Sequence, residues 1–143
     1  MQVKYHISFV LILLLSVSAL AGDKNYGTAV VSKVIRVYDG DTFIAAIDTF
    51  APLIGDSIRV RISGIDAPEL RSHNKYERDL AKKAKLYTEN RLKTATVVTL
   101  KNMKRDKYFR ILADVYVDRW NLGKELIRVG LAIEYNGGRK LEW

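Results

Sequence analysis

The sequence predicts a mainly β domain with helices, of the α+β class: five strands, one helix between strands three and four, and a short helix near the C-terminus. Three observations carry this. Short runs rich in β-branched and aromatic residues, some alternating apolar with polar positions, are punctuated by turn residues. One longer segment, Tyr76 to Leu92, instead places Leu80, Ala84 and Tyr87 at helical spacing, with Ala81 alongside. The chain has no internal repeat and no linker, so its 143 residues read as one domain after any leader.

Taken in order, Gly22 to Gly27 is polar and reads as a loose start. Strand one runs from Thr28 to Val37, and Tyr38-Asp39-Gly40-Asp41 forms a turn with Asp-Gly at its centre. Thr42 to Ile47 is strand two, Asp48 to Gly55 a loop containing Pro52, and Ser57 to Gly64 strand three. Residues 70–75 are polar and include His73, a loop histidine with no assigned role. After the helix, Ala95 to Leu100 is strand four. Lys101 to Lys107 reads as a basic polar connection, with Lys101, Lys104, Arg105 and Lys107 against Asp106. Strand five runs from about Tyr108 to Val117, and Asp118 to Asn121 is a turn. Leu122 to Gly130 is the short helix, with Asn121 as N-cap and Gly130 as C-cap. Leu131 to Tyr135 is extended. Five strands with a helix between the third and fourth outline an OB-fold-like barrel, a fold too widely used to define an activity.

Hydrophobic residues make up 48% of the chain, partly because of its beginning. Lys4 and His6 precede an apolar run from Ile7 to Leu15, interrupted only by Ser8, and Ala19-Leu20-Ala21 supplies an A-x-A site. The run is short for a membrane span, which needs roughly 20 residues. We therefore expect residues 1–21 to be a signal peptide and residues 22–143 the domain. The product is expected to be exported, periplasmic or secreted, monomeric, and without stable membrane association after cleavage. There is no cysteine, which excludes disulfides and a lipid-bearing Cys. The formal charge of +8 and pI of about 9.7 favour an anionic partner such as nucleic acid.

The chemistry gathers at Arg61-Ile62-Ser63-Gly64-Ile65-Asp66-Ala67-Pro68-Glu69. Ile58, Val60 and Ile62 alternate with Arg59, Arg61 and Ser63, so the apolar set faces a core and Arg61 the opposite side. Gly64 and Pro68 end the strand, leaving Asp66 and Glu69 at its tip. The meander has a geometric consequence. Strand three returns antiparallel to strand two, so its end lies beside the turn that begins strand two. Asp41 and Asp66 are thereby placed side by side. Two adjacent carboxylates repel unless a cation intervenes. With oxygen ligands, no Cys and two His in the chain, a hard ion such as Ca²⁺ or Mg²⁺ suits them better than zinc. Asp39 is expected only to shape its turn.

Four pieces, in order, carry a family pattern: Asp39-Gly40-Asp41-Thr42; Arg61 with Ile65-Asp66-Ala67-Pro68-Glu69; Asp106-Lys107-Tyr108-Phe109-Arg110; and Leu126-Ile127-Arg128-Val129-Gly130-Leu131-Ala132. Through them the chain resembles the staphylococcal nuclease (thermonuclease) family, from about residue 28 to residue 135. The resemblance implies a Ca²⁺-dependent nuclease hydrolysing phosphodiester bonds in DNA and RNA. It implies metal ligation by Asp41, Asp66 and the Ala67 carbonyl, and catalysis by Glu69 as general base with Arg61 and Arg110 on the phosphate. Lys107, Tyr108 and Tyr135 would contact the nucleotide. Two features depart from the pattern: Phe109 stands where the family usually has Gly, and too little chain follows Tyr135 for the family's long C-terminal helix. The alternative is a non-catalytic OB-type module binding nucleic acid or another polyanion. That reading predicts a gap in the set of two arginines and three carboxylates, and no such gap exists here.

Overall fold

The structure is a computed structural model describing residues 24–106, 108–139 and 143; the expected leader and Lys107 lie outside the described residues. The expected first strand is two. β1 (Ala29–Val30) pairs antiparallel with β6 (Val98–Arg105), while β2 (Lys33–Val37) pairs antiparallel with β3 (Thr42–Ala46). The switch falls at Val31-Ser32, where successive amides point to opposite partners: Val31 N–H donates to the Val98 carbonyl and Ser32 N–H to the Ala46 carbonyl, each at 2.9 Å. One apolar run thus serves two strands, as a tightly curled sheet requires.

After β3 comes a short helix, α1 (Pro52–Gly55), inside the expected loop. Then follow β4 (Ile58–Ile62) and the two-residue β5 (Ile65–Asp66). The principal helix is α2 (Lys75–Thr94), longer than its apolar spacing indicated and capped by Asn74, whose side chain accepts from Tyr76 N–H. β7 (Ile111–Val117), β8 (Trp120–Asn121), α3 (Leu122–Arg128) and β9 (Ile133–Glu134) complete the chain. As expected, Asn121 caps α3, accepting from Lys124 N–H at 2.9 Å, and Gly130 takes a left-handed φ of +72° just beyond its end.

The sheet order is β1-β6-β7-β4-β3-β2, with β4 and β7 parallel. Its two edges, β1 and β2, are neighbours in sequence, so the sheet curls into an OB-fold-like barrel. Phe43, Ile47, Val60, Ile62, Leu100, Val115 and Val117 fill the interior with almost no exposure, and Leu122 and Leu126 of α3 join the same core. Among the described residues, no helix is long and apolar enough to cross a membrane.

Two further expectations are corrected. Lys101 to Arg105 is not a connection but the second half of β6, paired through Lys104↔Leu112 and Arg105↔Ile111. A bulge between Lys101 and Lys104, with Asn102 at φ +52°, breaks the alternation, so that only Met103 is buried and the polar run hides the strand. Strand five begins at Ile111, not Tyr108; Asp106 and residues 108–110 lie in a turn ahead of it.

α2 reaches the Asp39–Asp41 turn through its buried face. Ala81, Ala84 and Thr88 are fully buried there, and the Thr88 hydroxyl donates to the Gly40 carbonyl at 2.7 Å. A Cβ at Gly40 would lie 2.7 Å from the Ala84 Cβ and 2.9 Å from the Ala67 Cβ. Glycine is needed here for close approach. Gly40→Ala should therefore cost about 1–3 kcal/mol, as overpacking commonly does, read from the urea midpoint at unchanged slope.

Candidate active site

Thr42 stands opposite Arg61 in the β3–β4 ladder, and the Ile62 amide donates to the Asp41 carbonyl at 2.8 Å. That register sets Asp41 at the end of β4. Asp66 lies just beyond, held by β5, whose pairing with β9 places it opposite Ile133. Both carboxylates are buried, at 3% and 1% exposure. The expected adjacency is present, and a cation lies between the two: Arg61. Its Nη1 donates to Asp41 Oδ1 at 2.7 Å, and its Nη2 to Asp66 Oδ1 at 3.1 Å and to the Ile65 carbonyl at 3.2 Å. Burial works against the guanidinium's charge, but Asp41 and Asp66 outweigh it and raise its pKa further.

Asp41 is further oriented by the Thr42 hydroxyl on Oδ1 at 2.8 Å and by the Ala67 amide on Oδ2 at 3.1 Å. Asp39 does shape its turn, accepting from Asp41 N–H at 3.1 Å. It is also more than a turn residue. Burial, then the charge of Asp41, push its carboxyl from 3.8 up to about 6. The only warning in the sequence was the spacing Asp39-Gly40-Asp41 itself. The folded chain therefore holds the Asp39 proton more tightly than the unfolded chain does. This contribution to stability is complete below pH 3.8 and is lost as pH rises to about 6. In chelator, Asp39→Asn should flatten that decline and melt a few degrees above the parent at pH 7, checked by calorimetric melts across this range.

A cleft of about 420 Å³ opens beside these groups; Tyr38, Asp39, Asp41, Arg61, Glu69 and Arg110 are among the residues around it. Arg71 also borders it, unsuspected within a polar stretch. Glu69 is exposed, and its amide donates to Glu77 Oε1 at 3.0 Å, tying the tip of the segment to α2. Arg110 comes from the turn wound around Asp106. The Asp106 Oδ1 accepts from the amides of Tyr108 (2.9 Å) and Arg110 (3.1 Å), and Oδ2 accepts from Arg110 Nε at 2.6 Å. Burial tends to raise the Asp106 carboxyl, but these bonds hold it below the usual value. Asp106 thus positions Arg110, a role not assigned from sequence.

Tyr108 is exposed, its ring 5.1 Å from the Arg110 guanidinium. Tyr135 is not among the residues around the cleft; its hydroxyl donates to the Gly138 carbonyl at 2.8 Å. Lys107, expected to contact nucleotide, lies outside the described residues.

The donor chemistry fits a hard cation. Asp41 and Asp66 offer carboxylate oxygens to one guanidinium, so a single positive charge can serve both. Among the described residues no three His, Cys, Asp or Glu side chains converge as a ready-made cage. Backbone and solvent oxygens would have to complete the coordination, as is common for hard ions.

The fold and this cleft define an OB-fold-like domain with a mixed acidic and basic site on its rim. The chain belongs to the staphylococcal nuclease family: a family model described as "Staphylococcal nuclease homologue" matches residues 59–141. Members of this family are typically metal-dependent. Similar proteins include an uncharacterized protein of Methanocaldococcus jannaschii, 29% identical over 72% of this chain and 58% of its own length. The "Probable endonuclease LCL3" of Phaeosphaeria nodorum is 37% identical over 54% of this chain and 27% of its own. An "Uncharacterized endonuclease" of Escherichia coli is 33% identical over 72% of this chain and 60% of its own. The chain thus matches between about a quarter and three-fifths of the length of these relatives.

Proposed function

We propose that this chain is an exported, Ca²⁺-dependent nuclease that hydrolyses phosphodiester bonds in DNA and RNA, working as a monomer after cleavage behind Ala21. One observation carries the reading: Arg61, which bridges the buried carboxylates of Asp41 and Asp66, lines with Asp41 a cleft that also presents Glu69 and Arg110. Family membership and the endonuclease names of relatives support the chemistry.

Asp41 and Asp66, with the Ala67 carbonyl, would hold the cation, which when bound supplies Lewis-acid neutralisation of the phosphate. Arg61 and Arg110 can each donate paired N–H groups to phosphate oxygens, a match that lysine's single ammonium does not reproduce. Glu69 accepts a proton from the attacking water, the new P–O bond forms, and the leaving oxygen departs with a proton from solvent. Lys107, Tyr108 and Tyr135 are the proposed nucleotide contacts; the exposed Tyr108 ring beside Arg110 supports its part in this.

The oxygen donors of Asp41 and Asp66 support a hard ion, and the family resemblance favours calcium, which tolerates irregular coordination where Mg²⁺ demands near-octahedral geometry. The test is digestion of single-stranded DNA, duplex DNA and RNA by the purified chain. We expect cleavage with Ca²⁺, little with Mg²⁺ and none in chelator. Tight binding of all three without cleavage under any metal would favour the binding-module reading. Sequencing the N-terminus of protein from producing cells should read Gly22-Asp23-Lys24; an intact Met1 on a cytosolic product would remove the export proposal.

A further inference from the structure

A second cleft, of about 300 Å³, lies against the first and shares Arg110 with it. Its character is different. Phe50, Ile58, Met103 and Ile111 make it apolar, while Lys104, Arg105 and Arg110 bring positive charge to it. Phe109 lines it too. That residue is 62% exposed and sits at φ +62°, a backbone conformation that favours glycine and disfavours a bulky side chain. The hydrogen bonds around Asp106 hold it there: the Phe109 amide donates to the Asp106 carbonyl at 3.3 Å, and its neighbours on both sides donate to the Asp106 carboxylate. The Arg105 guanidinium lies 3.5 Å from the ring centroid, the separation of stacked planes. A strained, solvent-facing aromatic adds little to the core, and such an outlier points towards binding.

We propose that this cleft receives a nucleobase of a single-stranded substrate, stacked on Phe109, when Arg110 holds the phosphate in the adjacent site. The inference rests on the nuclease reading and extends it to the choice of substrate. Three observations fix the occupant. The shared arginine makes the cleft continuous with the phosphate site, so the ligand carries a phosphate at one end. Apolar surface flanked by cations matches a flat base attached to an anionic backbone. Arg105 already stacks on the ring, so the ring takes flat partners, and its exposure leaves room for a second. A base held in a duplex cannot enter without unpairing, so the site favours unpaired strand.

The experiment uses short fluorescent single-stranded oligonucleotides carrying one abasic position, walked along the strand, with binding read by anisotropy in chelator and cleavage read with Ca²⁺. For the parent, one abasic position should weaken binding by about 5- to 150-fold, the usual worth of a stacked base. Phe109→Gly should melt no lower than the parent, since glycine accepts this φ, yet bind intact oligonucleotide as weakly as the parent binds that abasic strand, with no further loss when the two are combined. Phe109→Trp should restore the affinity. Equal binding of every abasic strand, or additive losses in Phe109→Gly, would overturn the subsite. So would parent-like affinity in Phe109→Gly, which would leave the cleft to a different occupant. Failure of the parent to cleave any strand, with the anisotropy pattern intact, would instead strike the nuclease reading alone.

Discussion

Arg61→Lys should lower turnover on single-stranded DNA by about 10²–10³ while retaining most of the affinity, since preorganised donors of this kind are typically worth that much in rate. The charge survives, so long-range attraction to the strand survives. What is lost is the planar fork. In the free protein that fork already spans Asp41 and Asp66 at 2.7 and 3.1 Å, and its side chain is 15% exposed. A lysine ammonium is a point donor that cannot reproduce this two-sided geometry or grip two phosphate oxygens at once. If the grip tightens as charge builds on phosphorus, the loss falls on kcat rather than on binding. Arg61→Ala is a different experiment. It leaves two buried carboxylates without their cation and should cost about 3–5 kcal/mol of stability in chelator. Single-turnover cleavage beside anisotropy binding separates the two effects for the lysine variant. A parent-like rate there would remove Arg61 from the chemistry.

Glu69→Gln should slow turnover at saturating calcium by about 10²–10⁴, the range of general-base contributions. It should leave calcium affinity close to the parent's. Glutamine keeps the shape and an acceptor oxygen but cannot carry away the water's proton. The amide of residue 69 is tied to Glu77 on α2, a backbone bond that the substitution preserves, so the segment should keep its place. Asp41→Asn provides the contrast. It keeps an oxygen but loses the charge that holds a cation, so its defect should be read first as weakened calcium binding. Equal affinity losses and equal saturating rates in the two variants would contradict this division of roles.

The adjacency at the centre of the site was legible because it depends first on the antiparallel return of one strand beside another. Once strands two and three are read as an antiparallel pair, the end of one lies beside the start of the other, which brings Asp41 and Asp66 together; the Thr42–Arg61 register and the β5–β9 pairing that hold them come from the structure. What fills the space between them was not legible. Arg61 was expected on the outer face of its strand as a phosphate ligand; nothing in the alternation of Ile58, Val60 and Ile62 says that its guanidinium turns back onto both carboxylates. Asp39 passed for a turn residue because its hydrogen bond to the Asp41 amide is local, whereas its raised carboxyl pKa depends first on burial beneath the rest of the fold. The basic run at Lys101–Arg105 concealed a strand because a bulge removed the period-two signal. Phe109 was visible only as a departure from a family pattern. That it keeps a left-handed backbone while exposing its ring follows from the Asp106 hydrogen bonds, which composition cannot disclose.

The central claim is that the Asp41–Arg61–Asp66 cluster and its cleft form one calcium-assisted hydrolytic site. The most direct measurement follows calcium binding by calorimetry and oligonucleotide cleavage on the same preparation across one calcium titration, for the parent and for Asp41→Asn. The account predicts that cleavage rises along the parent's binding curve and that Asp41→Asn moves both curves together to higher calcium. Cleavage at full rate in excess chelator, or parent-like calcium affinity in Asp41→Asn, would contradict it.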